Sequence, residues 1–534
     1  MRARPANDQV LMNLNLTLLD AVIFGIYIIG VLAVGVWASR KGERTKRDYF
    51  LAGDKMPWWM IGGSIIASNI SSHHLVGAMG VAYSRGFVAI AIEWGAILIG
   101  FNALLWIFLP FYLRNGFYTM PEFLQKRYGA AARMTYGVLV LLTYVFVEIS
   151  AVLYLGALSL HSLLNIPVMV CVLVLALATA VYTIAGGLRA VIYTEMLQLG
   201  VLILGGSALS LATIHAAGGF SSVIATSKDW HLLLPASDPD FPWTMYLGGL
   251  LCISVFYCAT NQFIVQRALA AKDEWHARMG VVFQDYLKFL IPLIITVPGI
   301  VAPKLFPHLE RADLLFPTLV EKLLPSGLVG LVMAGLIAAI MSHLSGAINS
   351  CTTILTVDFY LPHFRKDASE LQAVRFGRLA GVVITFFGIT CAGLLLNNSD
   401  RPVFLYLLNA YGLFTPGIAT MFLLGILWKR ATHAGALAAG ALTIPLSLGT
   451  QFFFPKLPFF NRTGIVFWTC MAICAGVSLV TEPKSETELK GLIWNRESLA
   501  LPAGERAKHR GIRNPFFWWL IITAIVLFFY IRYA

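Results

Sequence analysis

The sequence predicts an all-α protein that crosses a lipid bilayer about fourteen times. Three observations carry that expectation. Of the 534 residues, 58% are hydrophobic and only 12% are charged, a balance too apolar for a water-soluble domain of this size. Apolar runs long enough to cross about 30 Å of hydrocarbon recur along the whole chain. No alternating ten-residue strand pattern accompanies them, and unpaired backbone is costly in lipid, so the spans are expected to be helices.

In chain order the spans are expected at about 17–38, 57–83, 88–113, 134–163, 166–185, 189–216, 242–264, 278–304, 327–360, 374–396, 402–429, 432–454, 463–482 and 514–533. Lys and Arg sort by loop. Segments after odd-numbered spans hold 27 of them, the other loops and the termini 11, and Lys288 lies inside a span. The positive-inside rule then puts the odd loops in the cytoplasm and both termini outside. The net charge of +12 is thereby read as topology, not as a nucleic-acid surface. The first span, followed by RTKR, reads as a retained anchor, not a cleaved signal. Seven cysteines, all in apolar segments without metal spacing, read as packing thiols. The longest loops, 217–241 and 483–513, leave no room for an inserted soluble domain, and LFPTLVEKLLPSG predicts a short helix on the outer surface.

Two spans carry polar interruptions at mid-depth: GGSIIASNISSHHLVG in the second and GGLLCISVFYCATNQ in the seventh. Broken helices at corresponding positions of two halves point to inverted repeats with a binding site at their interface, the architecture of many secondary transporters. The expected organisation is an N-terminal tail, extra helix and basic loop (1–56), a first repeat (57–216), an external loop (217–241), a second repeat (242–430) and additional C-terminal helices (431–534). Glycine and serine that merely allow close helix packing are the structural alternative.

Six stretches in order, DYFLAGDKMPWW, ASNISSHHLVG, FYTMPEFLQKRYG, GGLRAVIYTEMLQ, NQFIVQRALAAK and FLLGILWKR, resemble the sodium/solute symporter family, and its sodium/glucose cotransporter branch most closely. The resemblance implies a LeuT-type five-plus-five inverted repeat with a broken first helix in each repeat. It also implies a symporter, not an enzyme, that couples inward sodium flow to uptake of a small hydroxyl-rich solute, foremost a sugar, by alternating access. The implied setting is the cell membrane, with sodium as coupling ion, no other cofactor and the oligomeric state open. Sodium- or proton-coupled transport of a polyol, inositol, sialic acid or another carboxylate is the alternative within transport.

Ionisable groups inside spans usually face a cavity or a partner, and Glu93, Glu148, Glu195 and Lys288 stand out. By resemblance, His74, Glu93 and Lys288 contact the solute, with Ser254, Tyr257 as an inner-gate ring, Phe404 and Asn409 beside them. Carboxylate, ammonium and imidazole together supply the acceptors and donors that a neutral polyol requires. Ala96, Ser254 and Leu408 shorten or remove contacts of the bacterial galactose-type pattern, which leaves the particular solute open. For sodium, the resemblance implies carbonyls of Ala67, Ile70 and Ala339 and the Ser342 hydroxyl. A second serine is the family pattern at the next position, where this chain has His343, so sodium coupling is expected to be altered, or partly replaced by a proton. Glu195 matches an acidic position on the ion's release path. Convergence of His73, His74 and His343 on a metal would define an intramembrane metalloenzyme instead. Adjacent helical residues point about 100° apart, and no HExxH-type spacing accompanies them.

Overall fold

The structure is a computed structural model that describes residues 16–41, 45–226, 230–309, 311–396 and 403–534; the side chains at 313, 395–396 and 403–409 lie outside the description. Two expected solute contacts, Phe404 and Asn409, fall in that last segment. The described residues form helices and connecting loops, with β-pairing confined to two isolated bridges, Met56 with Ala271 and Leu234 with Pro242.

Among the described residues twelve helical stretches are long and apolar enough to cross a membrane, against the fourteen expected. Two of the twelve exceed one crossing and turn internally. Val168–Ala216 runs 49 residues and leaves the helical conformation at Gly187 (φ 58°, ψ −154°). A Cβ at Gly187 would lie 2.3 Å from the Tyr49 carbonyl, so the turn needs both a left-handed φ and no side chain. His73–Arg114 turns at Gly86 (φ 72°, ψ −143°). The tally therefore depends on where a continuous stretch is cut.

The first helix, Leu18–Arg40, opens with a capping box: Thr17 Oγ1 accepts from the Asp20 amide, and Asp20 reaches back to the Thr17 amide. Asp20 Oδ1 also accepts the amides of Gly327 and Gly330 at 2.8 Å each, tying this helix to the start of Leu328–Ile354. Leu328–Ile354 packs along Val168–Ala216 and is buried along almost its whole length. The short helix expected before it is present as Leu315–Leu323, with Leu315, Phe316 and Leu319 packed inward.

Both expected interruptions are breaks of one kind. Helix Trp58–Asn69 ends at Ile70 (φ −83°, ψ 126°), and the chain resumes as a π-helical turn, His73–Ala78, that runs into Met79–Arg85. In the other half, Gly249–Ser254 passes through a π-helical turn to Thr260, breaks at Asn261 (φ −81°, ψ 122°) and continues as Gln262–Leu269. The second break thus sits at the end of the polar run, and its span reaches Leu269 instead of residue 264. All seven cysteines are buried and none forms a disulfide.

Candidate functional site

A broken helix exposes amides and carbonyls that need partners in a dry interior. Around Asn261 three tyrosines meet that need. Tyr112 and Tyr136 hydroxyls donate to the carbonyls of Ala259 (3.1 Å) and Thr260 (2.7 Å), and the Tyr144 hydroxyl accepts the Phe263 amide at 2.9 Å while donating to Asn261 Oδ1. Around Ile70 the partners are ionisable side chains instead, His74 on the Ser71 amide and His343 on the Ser68 carbonyl.

His74 Nδ1 accepts the Ser71 amide at 3.3 Å, which leaves the ring's proton on Nε2, 3.2 Å from Glu93 Oε1. The other Glu93 oxygen accepts from Lys288 Nζ at 2.5 Å, and the same ammonium donates to Asn69 Oδ1 at 2.7 Å. His74 and Lys288 are almost fully buried, and Glu93 keeps 15% of its side chain accessible. Three expected solute contacts, His74, Glu93 and Lys288, are thus one hydrogen-bonded cluster at the first break. Asn69, the residue at the break itself, joins them; its place in the interrupted stretch was the available signal. Ser254 is buried where the two halves touch: a Cβ at Gly100 would lie 2.4 Å from the Ser254 carbonyl. Tyr257 borders the cluster on the Asn69 side and stands edge-on to Tyr411 with ring centroids 6.2 Å apart.

A second cluster lies on the other side of the break. Ala67, Ile70, Ala339 and Ser342 are each no more than 1% exposed. The Ser342 hydroxyl is buried without a hydrogen-bond partner among the described residues, the condition of an oxygen that awaits a ligand. His343 is differently placed. Its Nδ1 lies 2.9 Å from the Ser68 carbonyl and must carry a proton to bond there; its Nε2 lies 2.6 Å from Glu148 Oε2, and one further proton bridges that pair. Both ring nitrogens are spent, so the imidazole has no lone pair left for a cation. The Tyr411 hydroxyl donates to the second Glu148 oxygen. Of two other serine hydroxyls in these segments, Ser345 donates to the Ser342 carbonyl at 2.8 Å and Ser71 faces His73.

Glu195 is fully buried and ion-paired. Arg267 Nη2 and Ser68 Oγ both donate to Oε1 at 2.5 Å, and Ser64 Oγ donates to Oε2. Arg267, counted with the basic loop residues in the sequence, is itself only 1% exposed. Ser68 therefore joins both sets, its hydroxyl on Glu195 and its carbonyl on His343. His73 lies between His74 and His343, with ring centroids 4.1 and 6.0 Å away. Among the described residues no group of three or more His, Cys, Asp and Glu side chains is placed to hold a metal ion.

Two helices broken in the same conformation, a charge-neutral polar cluster at one break and oxygen donors packed beside it define a secondary membrane transporter. The solved structure of a Na+-coupled sialic acid symporter in a substrate-bound outward-open state matches with a TM-score of 0.78 over 88% of this chain and 99% of its own, at 22% identity, and the fold is the LeuT-type inverted repeat. Residues 49–443 match the model of the sodium:solute symporter family, and the chain belongs to that family. Among its relatives, the sodium/glucose cotransporter of Vibrio parahaemolyticus is 34% identical over 87% of this chain and 91% of its own length. The sodium/myo-inositol cotransporter 2 of Sus scrofa is 34% identical over 80% of this chain and 69% of its own length. The protein is a multi-pass membrane transporter, not an enzyme.

Proposed function

We propose that this protein couples the inward flow of sodium to uptake of a neutral, hydroxyl-rich solute, foremost a sugar, by alternating access across the cell membrane, with both termini outside. The Glu93–Lys288 pair, flanked by His74 and Asn69, is the observation that carries this reading. Its formal charges cancel, so it offers an incoming solute donors and acceptors without a surplus charge, which suits hydroxyls better than a carboxylate. Solute hydroxyls would replace the cluster's internal hydrogen bonds, and a molecule unable to do so would leave buried charges unpaired. Ser254, Tyr257, Phe404 and Asn409 would complete the walls. Sodium would lie between the carbonyls of Ala67, Ile70 and Ala339 and the Ser342 hydroxyl, an all-oxygen set suited to a hard cation. Each ligand can shift the transport cycle only so far as it binds one state better than the other.

The test is uptake of labelled D-glucose, D-mannose, myo-inositol and sialic acid into proteoliposomes with and without an inward sodium gradient. The expected result is accumulation of a neutral sugar or inositol above equilibrium that requires sodium and is lost in Glu93→Gln. Failure of every solute to accumulate against its gradient would overturn the symporter reading, and sodium-driven accumulation of sialic acid alone would overturn the neutral-solute assignment.

A further inference from the structure

Helix Glu274–Val301 carries Lys288 into the candidate solute site, and one turn earlier it carries a second ionisable group with no role in the function proposed above. Asp285 is fully buried, and neither of its carboxylate oxygens has a hydrogen-bond partner among the described residues. Gln284 beside it is equally buried, with both amide atoms unpartnered. An ionised carboxylate in such surroundings is among the costliest groups a membrane protein can hold, and the neutral acid is far cheaper.

The surroundings narrow what can neutralise it. Lys288 is the nearest cation, on the same helix face at i+3, but its ammonium is already shared between Glu93 and Asn69. Besides Lys288, Cys258 from the second broken span and Tyr286 are the titratable groups with an electrostatic influence on or from Asp285. The packed helix Trp58–Asn69 and the π-helical turns Ile97–Phe101 and Leu104–Phe108 contain no acidic or basic residue. On the other packed elements, Arg267 is committed to Glu195, Arg114 to Glu274, Arg85 to Asp238, Arg189 to Asp48, Lys304 to the Ser222 hydroxyl, Arg532 to the Tyr533 ring, and Glu93 to Lys288 and His74. His73 lies against Ser71 and beside His74. Among the described residues no group of three or more His, Cys, Asp and Glu side chains is placed to hold a metal ion around Asp285.

We propose that Asp285 is a proton-binding site in the transport core, loaded while Lys288 is committed to Glu93 and Asn69 and emptied when solute takes over those contacts. Solute hydroxyls on Glu93 release the ammonium, which stands one helical turn from Asp285 and stabilises its ionised form; the proton leaves to water. This goes beyond the sodium-coupled reading and rests on it only for the identity of Glu93–Lys288 as the solute site. Solute handling is then linked to pH through a residue that touches neither solute nor sodium.

The experiment has a readout independent of transport. Infrared spectra of the full-length protein in lipid at pH 7 are expected to contain the C=O band of a protonated buried carboxylic acid that Asp285→Asn removes; Asp285→Glu, should the Asn variant fail to fold, moves the band instead. Sodium-driven D-glucose uptake is expected to vary about tenfold across the titration of that band and to lose this pH dependence in the Asn variant. Absence of the band in the wild type, or its persistence unchanged in the variants, overturns the proposal, as does loss of the band on adding sodium alone, which would assign the carboxylate to a metal cation. If neither glucose nor any other neutral solute of the uptake panel is transported, the sugar reading fails and the band still decides the fate of Asp285.

Discussion

His343 Nε2 and Glu148 Oε2 meet across 2.6 Å beside the first broken helix. The imidazole is anchored at its other nitrogen by the carbonyl of Ser68, and Glu148 is anchored at its other oxygen by Tyr411. Four residues from four segments thus form one chain, and it ends on Ser68, whose hydroxyl belongs to the Glu195–Arg267 pair. His343 is therefore not isolated. A buried carboxylate pairs with it, and both side chains are committed to internal hydrogen bonds.

From this pairing a sodium phenotype follows. His343→Ser in the Glu148→Gln background restores a hydroxyl beside Ser342 without leaving a lone buried carboxylate. One added oxygen ligand is worth on the order of 1.4 kcal/mol, so the sodium concentration for half-maximal uptake is expected to fall about tenfold relative to Glu148→Gln alone. Identical sodium dependence in the two proteins would show that the imidazole does not stand in a ligand's place.

Much of this organisation was legible in the sequence, and the reason is that breaks and buried charges are expensive. SNISSHHLVG and VFYCATNQ contradict the helix periodicity around them, so the two interrupted spans were visible, and Glu93, Glu148, Glu195 and Lys288 stood out because lipid tolerates them only with partners. Which partner each would have was not legible. Glu148 and His343 lie 195 positions apart and Glu93 and Lys288 likewise, and one sequence carries no record of such distances. Arg267 was hidden for another reason: its position just past a span reads as a cytoplasmic anchor, and only the turn at Asn261 carries it inward. Asp285 lies in the same span as Lys288 and is not among the four charges that stood out.

The Arg267–Glu195 pair makes a stability prediction. Both side chains are at most 1% exposed, and removing one partner of a buried ion pair leaves an uncompensated charge that costs about 3–5 kcal/mol. Arg267→Ala is expected to lower the thermal midpoint of the detergent-solubilised protein sharply. Arg267→Gln combined with Glu195→Gln, which removes both charges and keeps hydrogen-bonding groups near Ser64 and Ser68, is expected to recover most of the loss. A double variant as unstable as Arg267→Ala would argue that the pair contributes through shape, not charge compensation.

The last prediction concerns the long loop 483–513, which straps the N-terminal start of the helix that carries Asp285 and Lys288. Arg278 donates to the carbonyls of Leu499 and Ser498 at 2.7 Å each, and Trp275 donates its amide to Glu505 and its indole N–H to the Arg513 carbonyl, also at 2.7 Å. His509 stacks on the Trp275 ring with centroids 4.2 Å apart. Burial holds the His509 pKa below its ordinary 6.5; Asp273 opposes the shift, and Arg513 and Lys508 add to it. A lowered histidine pKa means that docking favours the neutral ring. The contribution is complete above pH 6.5 and is lost as the pH falls below that value, because the undocked loop then takes up a proton that the docked one resists. Hydrogen exchange in the loop is expected to accelerate on going from about pH 7.5 to about pH 5.5, after correction for intrinsic rates, and to do so much less in His509→Phe, which keeps the stack and cannot titrate. An equal acceleration in both proteins would place the pH response of the strap on another group.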